Sequence, residues 1–329
     1  MKAILNHLFE NRSFAKEEAK NILINIARGQ YNPSQMAAFI TAYCMRSSTI
    51  DEMEGFRDAM LELCVPVNLE TENLVDLCGT GGDSKDTFNI STLASFVVAG
   101  AGYKVAKHGN YGVSSGSGSS NVMEYLGYWF TNEINTLKRS IETAGICFLH
   151  APLFNPAMKV IAPIRKELAV KTFFNILGPM VNPVKPKNQM VGVFSLELAR
   201  VYAYLYQKTD KNYTIVHSLD GYAEISLTSD FKTFSNQGEQ ICKLAELGFD
   251  KLNPTEISSG HSVPEAAAVF MQVLNNQATK AQTNVVLCNA AMAIKTICPE
   301  KSFAESFDEA NVSLQSKKAL NSFKTLLTN

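Results

Sequence analysis

Apolar residues recur at the spacing of an amphipathic helix through the first 64 residues of the chain. The apolar positions of the first two segments are Ile22, Leu23 and Ile26, then Met36, Phe39, Ile40 and Tyr43. Ser34 is placed to cap the second helix, and Thr49 with Glu52 forms a capping-box pattern at the start of a third. The pattern breaks at residues 65–67, which predicts a small all-helical N-terminal domain over residues 1–66.

From Leu74 onward, short apolar runs alternate with helical segments. The predicted strands are Leu74–Leu77, Lys104–Lys107, Cys147–His150, Met190–Phe194 and Tyr213–His217. The predicted helices are Thr92–Ala101, Ile134–Ala144, Leu196–Gln207, Pro264–Leu274, Asn284–Thr296 and Ser302–Leu327. This alternation is typical of α/β units, so we predict a larger α/β domain with a central, largely parallel sheet over residues 72–329. The proline-containing stretch 182–186 predicts a loop, either a connector or part of a hinge.

The composition indicates a globular protein, since 46% of the 329 residues are hydrophobic and 19% are charged. The formal net charge of -1 argues against a nucleic-acid partner. The seven cysteines are scattered without a C-x-x-C pair and suggest neither a disulfide framework nor a zinc site. Because no run resembles a signal peptide or a membrane span, we expect a cytoplasmic protein without a membrane partner.

The densest candidate for chemistry is a glycine-rich turn between a predicted strand and a predicted helix. Its residues of interest are Gly79, Gly81, Gly82, Asn89, Ser91 and Thr92. The glycines leave backbone N–H groups open to an anion, and the polar residues offer donors at the positive end of the helix. Phosphate or pyrophosphate is the expected ligand. Taken alone, such a turn more often serves as a tight turn with a helix cap, and it matches neither the Walker A nor the G-x-G-x-x-G pattern.

A second loop of small residues follows the strand that ends at Lys107 and runs to Ser120. In an open α/β sheet such strand ends meet at the ligand crevice. Lys107 offers a charge for phosphate, and His108 and Asn110 offer polar edges to a planar ligand. Read singly, these side chains would be ordinary loop or surface residues.

Together the two loops, GTGGD…TFNIST and KHGN…SS…GS, resemble those of the anthranilate phosphoribosyltransferase family. Two further blocks resemble the same family and follow in the family's order along the chain. Residues 162–179 contain RKEL and TFFNILGP, and residues 216–226 are similar to the family's acidic metal-binding region. The resemblance implies a helical domain, completed by helices near 163–185, that is joined by hinges to the α/β domain. It also implies transfer of the phosphoribosyl group of phosphoribosyl pyrophosphate (PRPP) to anthranilate in tryptophan biosynthesis, one or two Mg²⁺ ions, and a homodimer formed through the helical domains.

Site residues follow from the same resemblance. The donor PRPP would contact Gly79, Gly81, Gly82, Asp83, Thr87, Asn89, Ser91, Thr92, Lys107 and Ser119. The acceptor anthranilate would contact Gly79, His108, Asn110, Arg165 and Gly178. Ser91 and Glu224 would bind the metal, and Lys107 with Ser91 would stabilise the transition state, while no residue is assigned as a certain catalytic group. The Arg165 guanidinium suits the anthranilate carboxylate, the alternative being an internal salt bridge to Glu167 or its neighbours.

The chain departs from the family's pattern at Asn121, Asn155, Ala169 and Ala223. The family's D-G-x-D-E block has Ala223 before Glu224 here, which removes one hard oxygen ligand and one negative charge from the metal site. Asp220 is a carboxylate that could compensate. Asn155 replaces a histidine near the acceptor, Ala169 a glycine, and Asn121 an aspartate.

Two other functions stay open on the sequence. A pyrimidine nucleoside phosphorylase-like enzyme also binds ribose and phosphate, but its K-x-S-x-R signature is replaced here by residues 107–110. A family relative with impaired catalysis, acting as a binding protein, is favoured by Ala223. If it bound nucleic acid it would need a basic stripe, which the net charge of -1 and the intact donor loops oppose.

Overall fold

The computed structural model describes residues 1–83, 85–112, 118–260 and 262–329. The chain forms two compact units. The helical unit comprises Met1–Val67 and Ala151–Lys185, and the α/β unit comprises Asn68–His150 and Pro186–Asn329. The chain therefore leaves the first unit, enters the second, and returns once to the first.

Helices and strands are numbered in chain order. The helices are α1 (Lys2–Phe9), α2 (Lys16–Ala27), α3 (Pro33–Met45), α4 (Ile50–Leu63), α5 (Ile90–Gly100), α6 (Ser119–Tyr125), α7 (Ile134–Ala144), α8 (Ala151–Phe154), α9 (Met158–Leu168), α10 (Phe173–Leu177), α11 (Leu196–Gln207), α12 (Val263–Leu274), α13 (Lys280–Ile297), α14 (Phe303–Gln315) and α15 (Lys318–Leu327). The strands are β1 (Val75–Gly79), β2 (Val105–Gly109), β3 (Ile146–His150), β4 (Asn188–Gly192), β5 (Asn212–Ser218), β6 (Phe231–Ser235) and β7 (Gly238–Cys242). Short 3-10 turns occupy Gly178–Met180, Leu244–Leu247 and Pro254–Ile257.

The helical unit is built around a cluster of aromatic rings from both of its chain segments. Phe56 of α4 stacks on Phe173 of α10 with ring centroids 4.6 Å apart, and Phe39 and Tyr43 of α3 meet Phe173 edge-on. Such pairs add to the stabilisation from apolar burial. The returning segment thus completes the core of this unit.

The helix starts in this unit confirm one predicted N-cap and correct another. The capping box at Thr49 and Glu52 is confirmed, because Thr49 Oγ1 accepts from Glu52 N at 3.2 Å. The prediction that Ser34 caps α3 was wrong. Asn32 is the cap, and its Oδ1 accepts from Gln35 N at 2.9 Å, while Pro33 occupies the first helical position, where its missing N–H costs nothing.

A buried carboxylate ties the helical unit together. Glu52 is fully buried, and its Oε1 accepts from Phe14 N at 3.1 Å, from Tyr43 OH at 2.8 Å and from Arg46 Nη2. Its Oε2 accepts from Thr49 N at 2.9 Å. Burial alone raises the pKa of Glu52, but these hydrogen bonds, led by that of Arg46, outweigh it and hold the pKa below its usual value.

The α/β unit contains a seven-stranded sheet in the order β3-β2-β1-β4-β5-β6-β7. The pairs from β3 through β5 are parallel, and β6 and β7 are antiparallel additions at one edge. The prediction of a largely parallel sheet beside a helical domain is confirmed. β1 pairs with β4 in register from Val75↔Asn188 to Gly79↔Gly192, so both strands end in glycine at the same edge.

Helix α5 is the centre of the apolar core of this unit. Its Phe96 is fully buried and contacts Phe148 of β3, Phe270 of α12 and Phe323 of α15 at ring-centroid distances of 5.3 to 6.0 Å. All five predicted strands are present within a few residues. The predicted helix Ser302–Leu327 is two helices, α14 and α15, because Lys317 adopts a left-handed φ of 60° between them. The edge strands β6 and β7 were not predicted.

Among the residues that the structure describes, no helix is both long enough and apolar enough to cross a membrane. All seven cysteines are free thiols.

We expect Glu52→Gln to lower the free energy of unfolding at pH 7 by about 3 kcal/mol, because it leaves the Arg46 guanidinium buried without its anion. Since the pKa of Glu52 is lowered by folding, its contribution is present above the unfolded value of about 4.3 and is lost as pH falls through the folded pKa. Urea unfolding from pH 7 to pH 3 should show the two proteins converging. Glu10→Gln, in an exposed ion pair, is the control, with an effect below about 0.5 kcal/mol.

Candidate active site

The site is organised by a segment that lies directly on the glycine ends of two central strands. A Cβ at Gly192 would be 1.6 Å from the carbonyl oxygen of Ala223, and one at Gly79 would be 3.4 Å from the same oxygen. Only a residue without a side chain at Gly192 permits this approach. The last residues of β1 and β4 therefore set where Glu224 lies.

The glycine-rich turn after β1 folds as the sequence predicts. Thr80 N donates to Gly192 O at 2.9 Å, and Gly81 and Gly82 adopt left-handed φ values of 63° and 74°. Asp83 then joins two parts of the site, because its Oδ2 accepts from Ala223 N at 3.3 Å. Ser84, which follows in this motif, lies outside the described residues.

The turn leads into the N-terminus of α5, where several predicted donor-binding residues lie. Asn89 precedes the helix, and Ser91 N donates to Glu224 Oε1 at 3.2 Å. Thr92 is buried, and its Oγ1 has no hydrogen-bond partner among the described residues. Thr87 forms a β-bridge with Ser258, which pins the turn ahead of the helix.

Lys107 is a buried cation at the centre of the site. It is only 2% exposed, and its Nζ donates to Leu77 O at 2.6 Å and to Ser91 Oγ at 3.5 Å. Burial lowers its pKa, and the nearby negative charges of Asp76 and Glu224 partly oppose that shift. An anion placed here would meet a positive charge with little water around it.

Glu224 is the carboxylate that faces this cation. Burial, with the charge of Asp83 in addition, raises the pKa of Glu224 to about 8. Its buried Oε2 has no hydrogen-bond partner among the described residues. Glu224, Ser91 and Ala223 line one pocket between the strand ends and α5. A buried carboxylate oxygen without a partner, beside a hydroxyl, fits a hard divalent cation such as Mg²⁺.

The structure limits what else could hold such a cation. In the described part of the chain, no group of three or more His, Cys, Asp or Glu side chains could bind a metal. Mg²⁺ commonly takes one or two carboxylates and completes its shell with water and substrate phosphates, which suits this site. Asp220 does not line the pocket that holds Glu224, and its carboxylate accepts from Thr228 Oγ1 at 2.6 Å and from Ser229 Oγ at 2.8 Å.

The sequence analysis missed the residue that holds the segment carrying Glu224. Asn289 of α13 is buried, and its side-chain amide accepts from Ile225 N at 3.1 Å and donates to Ile225 O at 2.9 Å. Ser218 Oγ also donates to Glu224 O at 2.6 Å. A single asparagine inside the apolar run of α13 was the available signal, since a buried amide needs partners.

The second loop returns to the end of β2. His108 is buried, and its backbone N–H donates to Asp76 Oδ1 at 3.1 Å. Ser119 Oγ donates to Asn110 O at 3.3 Å. Asn121 Oδ1 accepts from Gly112 N at 3.0 Å and from Gly118 N at 3.1 Å, so this departure from the family closes the loop. Residues 113–117 lie outside the described residues.

The remaining predicted acceptor residues belong to the helical unit. Arg165 Nη2 donates to Asn175 Oδ1 at 3.1 Å, and its guanidinium lies 5.3 Å from the ring centroid of Phe174. Its Nε is buried without a partner among the described residues, and burial lowers its pKa. Among the described residues, Arg165 does not form the alternative salt bridge to Glu167. Gly178 begins a 3-10 turn.

Two departures in this unit have local consequences. Asn155 is buried, its Nδ2 donates to Ala151 O at 3.4 Å, and its Oδ1 has no partner among the described residues. Ala169 ends α9 with a left-handed φ of 52°, a conformation that glycine adopts at lower cost.

Known proteins resemble this chain along its whole length. Residues 71–320 match the glycosyl transferase family a/b domain, and residues 2–64 match its helical bundle domain. The chain is 60% identical to anthranilate phosphoribosyltransferase from Christiangramia forsetii, covering 99% of this chain and 98% of that protein. It is 52% identical to the enzyme of that name from Bacteroides fragilis, covering 98% of each.

Solved structures agree on the fold. The crystal structure of anthranilate phosphoribosyltransferase from Thermus thermophilus has a TM-score of 0.91 and 29% identity, covering 98% of each chain. The Saccharomyces cerevisiae enzyme in complex with PRPP and Mg has a TM-score of 0.90 and 24% identity, covering 98% of this chain and 96% of that one.

We expect Gly192→Ala to lower the free energy of unfolding by about 2 kcal/mol, because its Cβ would overlap the backbone at Ala223. Gly178→Ala is the matched control, since a Cβ there meets nothing within 4 Å. Urea unfolding of both variants tests the difference. Equal stability of the two would mean that the segment at Ala223 moves away at no cost.

Proposed function

Because this chain belongs to the anthranilate phosphoribosyltransferase family, we propose that it transfers the phosphoribosyl group of PRPP to anthranilate, giving N-(5-phosphoribosyl)anthranilate and pyrophosphate. This is the second step of tryptophan biosynthesis from chorismate. The observation that carries the proposal is the buried Lys107 beside Ser91 and the glycine turn, in a chain 60% identical to a named enzyme of this activity.

The donor binds at the glycine turn and the start of α5. Backbone N–H groups of the turn, the N-terminus of α5 and the Lys107 ammonium surround the pyrophosphate. The donor set is Gly79, Gly81, Gly82, Asp83, Thr87, Asn89, Ser91, Thr92, Lys107 and Ser119. The unpartnered Thr92 Oγ1 supports this assignment, since a phosphate oxygen would supply its missing hydrogen bond.

The reaction displaces pyrophosphate from C1 of the ribose by the amine of anthranilate. Negative charge grows on the leaving pyrophosphate, and Lys107 with Ser91 stabilises it in a site that excludes water. No side chain needs to form a covalent intermediate. Holding the amine in line with C1 supplies the rest of the rate enhancement.

Glu224 and Ser91 hold Mg²⁺, as the unpartnered Glu224 Oε2 and the adjacent hydroxyl favour. An ion bound there would neutralise charge on the pyrophosphate. The raised pKa of Glu224 belongs to the chain without a cation, and a bound cation favours the ionised form.

The acceptor anthranilate binds Arg165, His108, Asn110, Gly79 and Gly178. Arg165 presents a half-buried guanidinium whose Nε has no partner among the described residues, and Asn175 fixes its plane through Nη2. A planar guanidinium recognises a carboxylate by paired hydrogen bonds, which suits the carboxylate of anthranilate.

We also propose that the domain of residues 1–66, completed by helices near 163–185, forms a homodimer, while residues 72–329 bind the donor. Exposed Phe9 and Met45 on the helical unit support the dimer. Light scattering on the purified protein tests it. A cytoplasmic location is supported by the seven free thiols, and partners are the two small substrates rather than nucleic acid.

Anthranilate fluorescence, followed after PRPP and Mg²⁺ are added, tests the activity directly. Loss of fluorescence that requires both additions supports the transferase. Phosphorolysis of a pyrimidine nucleoside without anthranilate turnover would favour the phosphorylase-like alternative. PRPP binding without turnover would favour the binding protein with impaired catalysis that Ala223 suggests.

Lys107→Ala and Arg165→Ala should damage the two substrate sites separately. We expect Lys107→Ala to lower kcat/KM for PRPP by about 100-fold, because a charged contact to phosphate contributes up to about 3 kcal/mol. Arg165→Ala should raise the KM for anthranilate about tenfold and leave that for PRPP near its original value. Steady-state kinetics measure both.

The matched controls are Lys243→Ala and Arg12→Ala, whose charges are paired on the surface. They should change neither KM. Equal effects of Lys107→Ala and Arg165→Ala on both Michaelis constants would contradict the assignment of donor and acceptor sites.

A further inference from the structure

The site has an alanine at position 223, and a lysine lies two residues after Asp83, whose carboxylate binds the Ala223 backbone. Lys85 follows the glycine turn, and its backbone N donates to Asp83 Oδ1 at 3.1 Å. Its Nζ lies 4.6 Å from the centroid of the Tyr222 ring, and Tyr222 directly precedes Ala223. Lys85 N and Ala223 N both donate to the Asp83 carboxylate, so the backbone of Lys85 is joined to the position where the family's pattern has its acidic ligand.

The Lys85 stem follows a defined path to that ring. A Cβ at Gly221 would lie 3.9 Å from Lys85 Cε, so the stem passes close to the backbone before Tyr222. Contact of an ammonium with a ring face is attractive, because the face of an aromatic ring carries partial negative charge. The ring therefore favours one position of a side chain that otherwise has many rotamers.

The carboxylates of Asp83 and Asp220 lie near the Tyr222 ring, but neither forms an ion pair with Lys85 in the described part of the chain. The two oxygens of Asp83 accept from backbone N–H groups of Lys85 and Ala223. Asp220 is held by Thr228 and Ser229. The ammonium is consequently available to an anion bound at the glycine turn.

Two arrangements of this site can be compared: an acidic residue at position 223 with a bound divalent cation, and an alanine there with the Lys85 ammonium. Both add the same net charge to the site. A divalent cation bound to one carboxylate adds a net charge of about +1, and an ammonium beside an alanine adds the same. Lys107 is already engaged, because its Nζ donates to Leu77 O and to Ser91 Oγ.

We propose that Lys85 contacts the pyrophosphate of the donor and supplies the positive charge that a second divalent ion, held by an acidic residue at position 223, would otherwise supply. The chain then binds PRPP with a single divalent ion, at Glu224 and Ser91. This inference rests on the proposed function, because it takes PRPP as the donor.

The test compares Lys85→Gln, Lys85→Arg, Ala223→Asp and the double variant Lys85→Gln/Ala223→Asp with the unaltered protein. Calorimetry measures the dissociation constant of PRPP, and electron paramagnetic resonance of free Mn²⁺ counts the ions bound per chain at saturating PRPP. Lys243→Gln, on the surface beside Glu246, is the matched control.

Lys85→Gln should raise the PRPP dissociation constant about tenfold, a loss of about 1.4 kcal/mol, whereas Lys85→Arg should retain binding because its guanidinium also stacks on a ring. The unaltered protein should bind one Mn²⁺ with PRPP, and Ala223→Asp should bind a second. In the Ala223→Asp background, the loss from Lys85→Gln should fall below about threefold, because the second ion then supplies the charge.

A second Mn²⁺ in the unaltered protein, or an unchanged dissociation constant in Lys85→Gln, would overturn the inference while PRPP binding and anthranilate turnover preserve the proposed function. If the unaltered protein binds no PRPP with Mn²⁺, both fail together. The count of bound ions is independent of turnover, so a poorly active variant still gives a result.

Discussion

The site depends on one close approach, that of the Ala223 backbone to the glycine end of β4. Any side chain at Gly192 would occupy the space of the Ala223 carbonyl. Because the approach is allowed, and Asn289 holds the adjacent Ile225 by both backbone groups, Glu224 reaches the first turn of α5. Parallel strand ends and a helix N-terminus then converge, as expected for ligand sites of open α/β sheets.

Because these elements converge, the charged side chains of Lys107 and Glu224 are buried away from water. This burial is unfavourable in the protein without bound ligand. Lys107 is buried with only a carbonyl and a hydroxyl as partners, and Glu224 keeps one oxygen without a partner in the described part of the chain. Uncompensated burial of this kind lowers stability, and proteins retain it mainly at functional sites. In the proposed function, a phosphate and a divalent ion would supply the missing partners, and the donor and metal should then stabilise the folded protein when they bind.

The sequence predicts most of the fold and the part of the site that is contiguous in the chain. Strong apolar runs and glycine turns are local signals. They were enough to predict the parallel strands and the glycine-rich turn that leads from Gly79 to Thr92 at the start of α5. The edge strand β7 was missed because four of its five residues are exposed and carry little apolar pattern. Asn289 and the Asp83–Ala223 contact were missed because they join residues far apart in the chain.

The loss of a metal ligand does not by itself imply loss of function, because the transition state needs positive charge rather than a particular carrier of it. A divalent ion must be captured from solution at each binding event, whereas a lysine is always present. Its disadvantage is the entropy of a flexible stem, which contact of Lys85 with the Tyr222 ring reduces. With Lys85 in the proposed role, an alanine at position 223 is consistent with an active enzyme whose donor site depends less on the concentration of divalent ions.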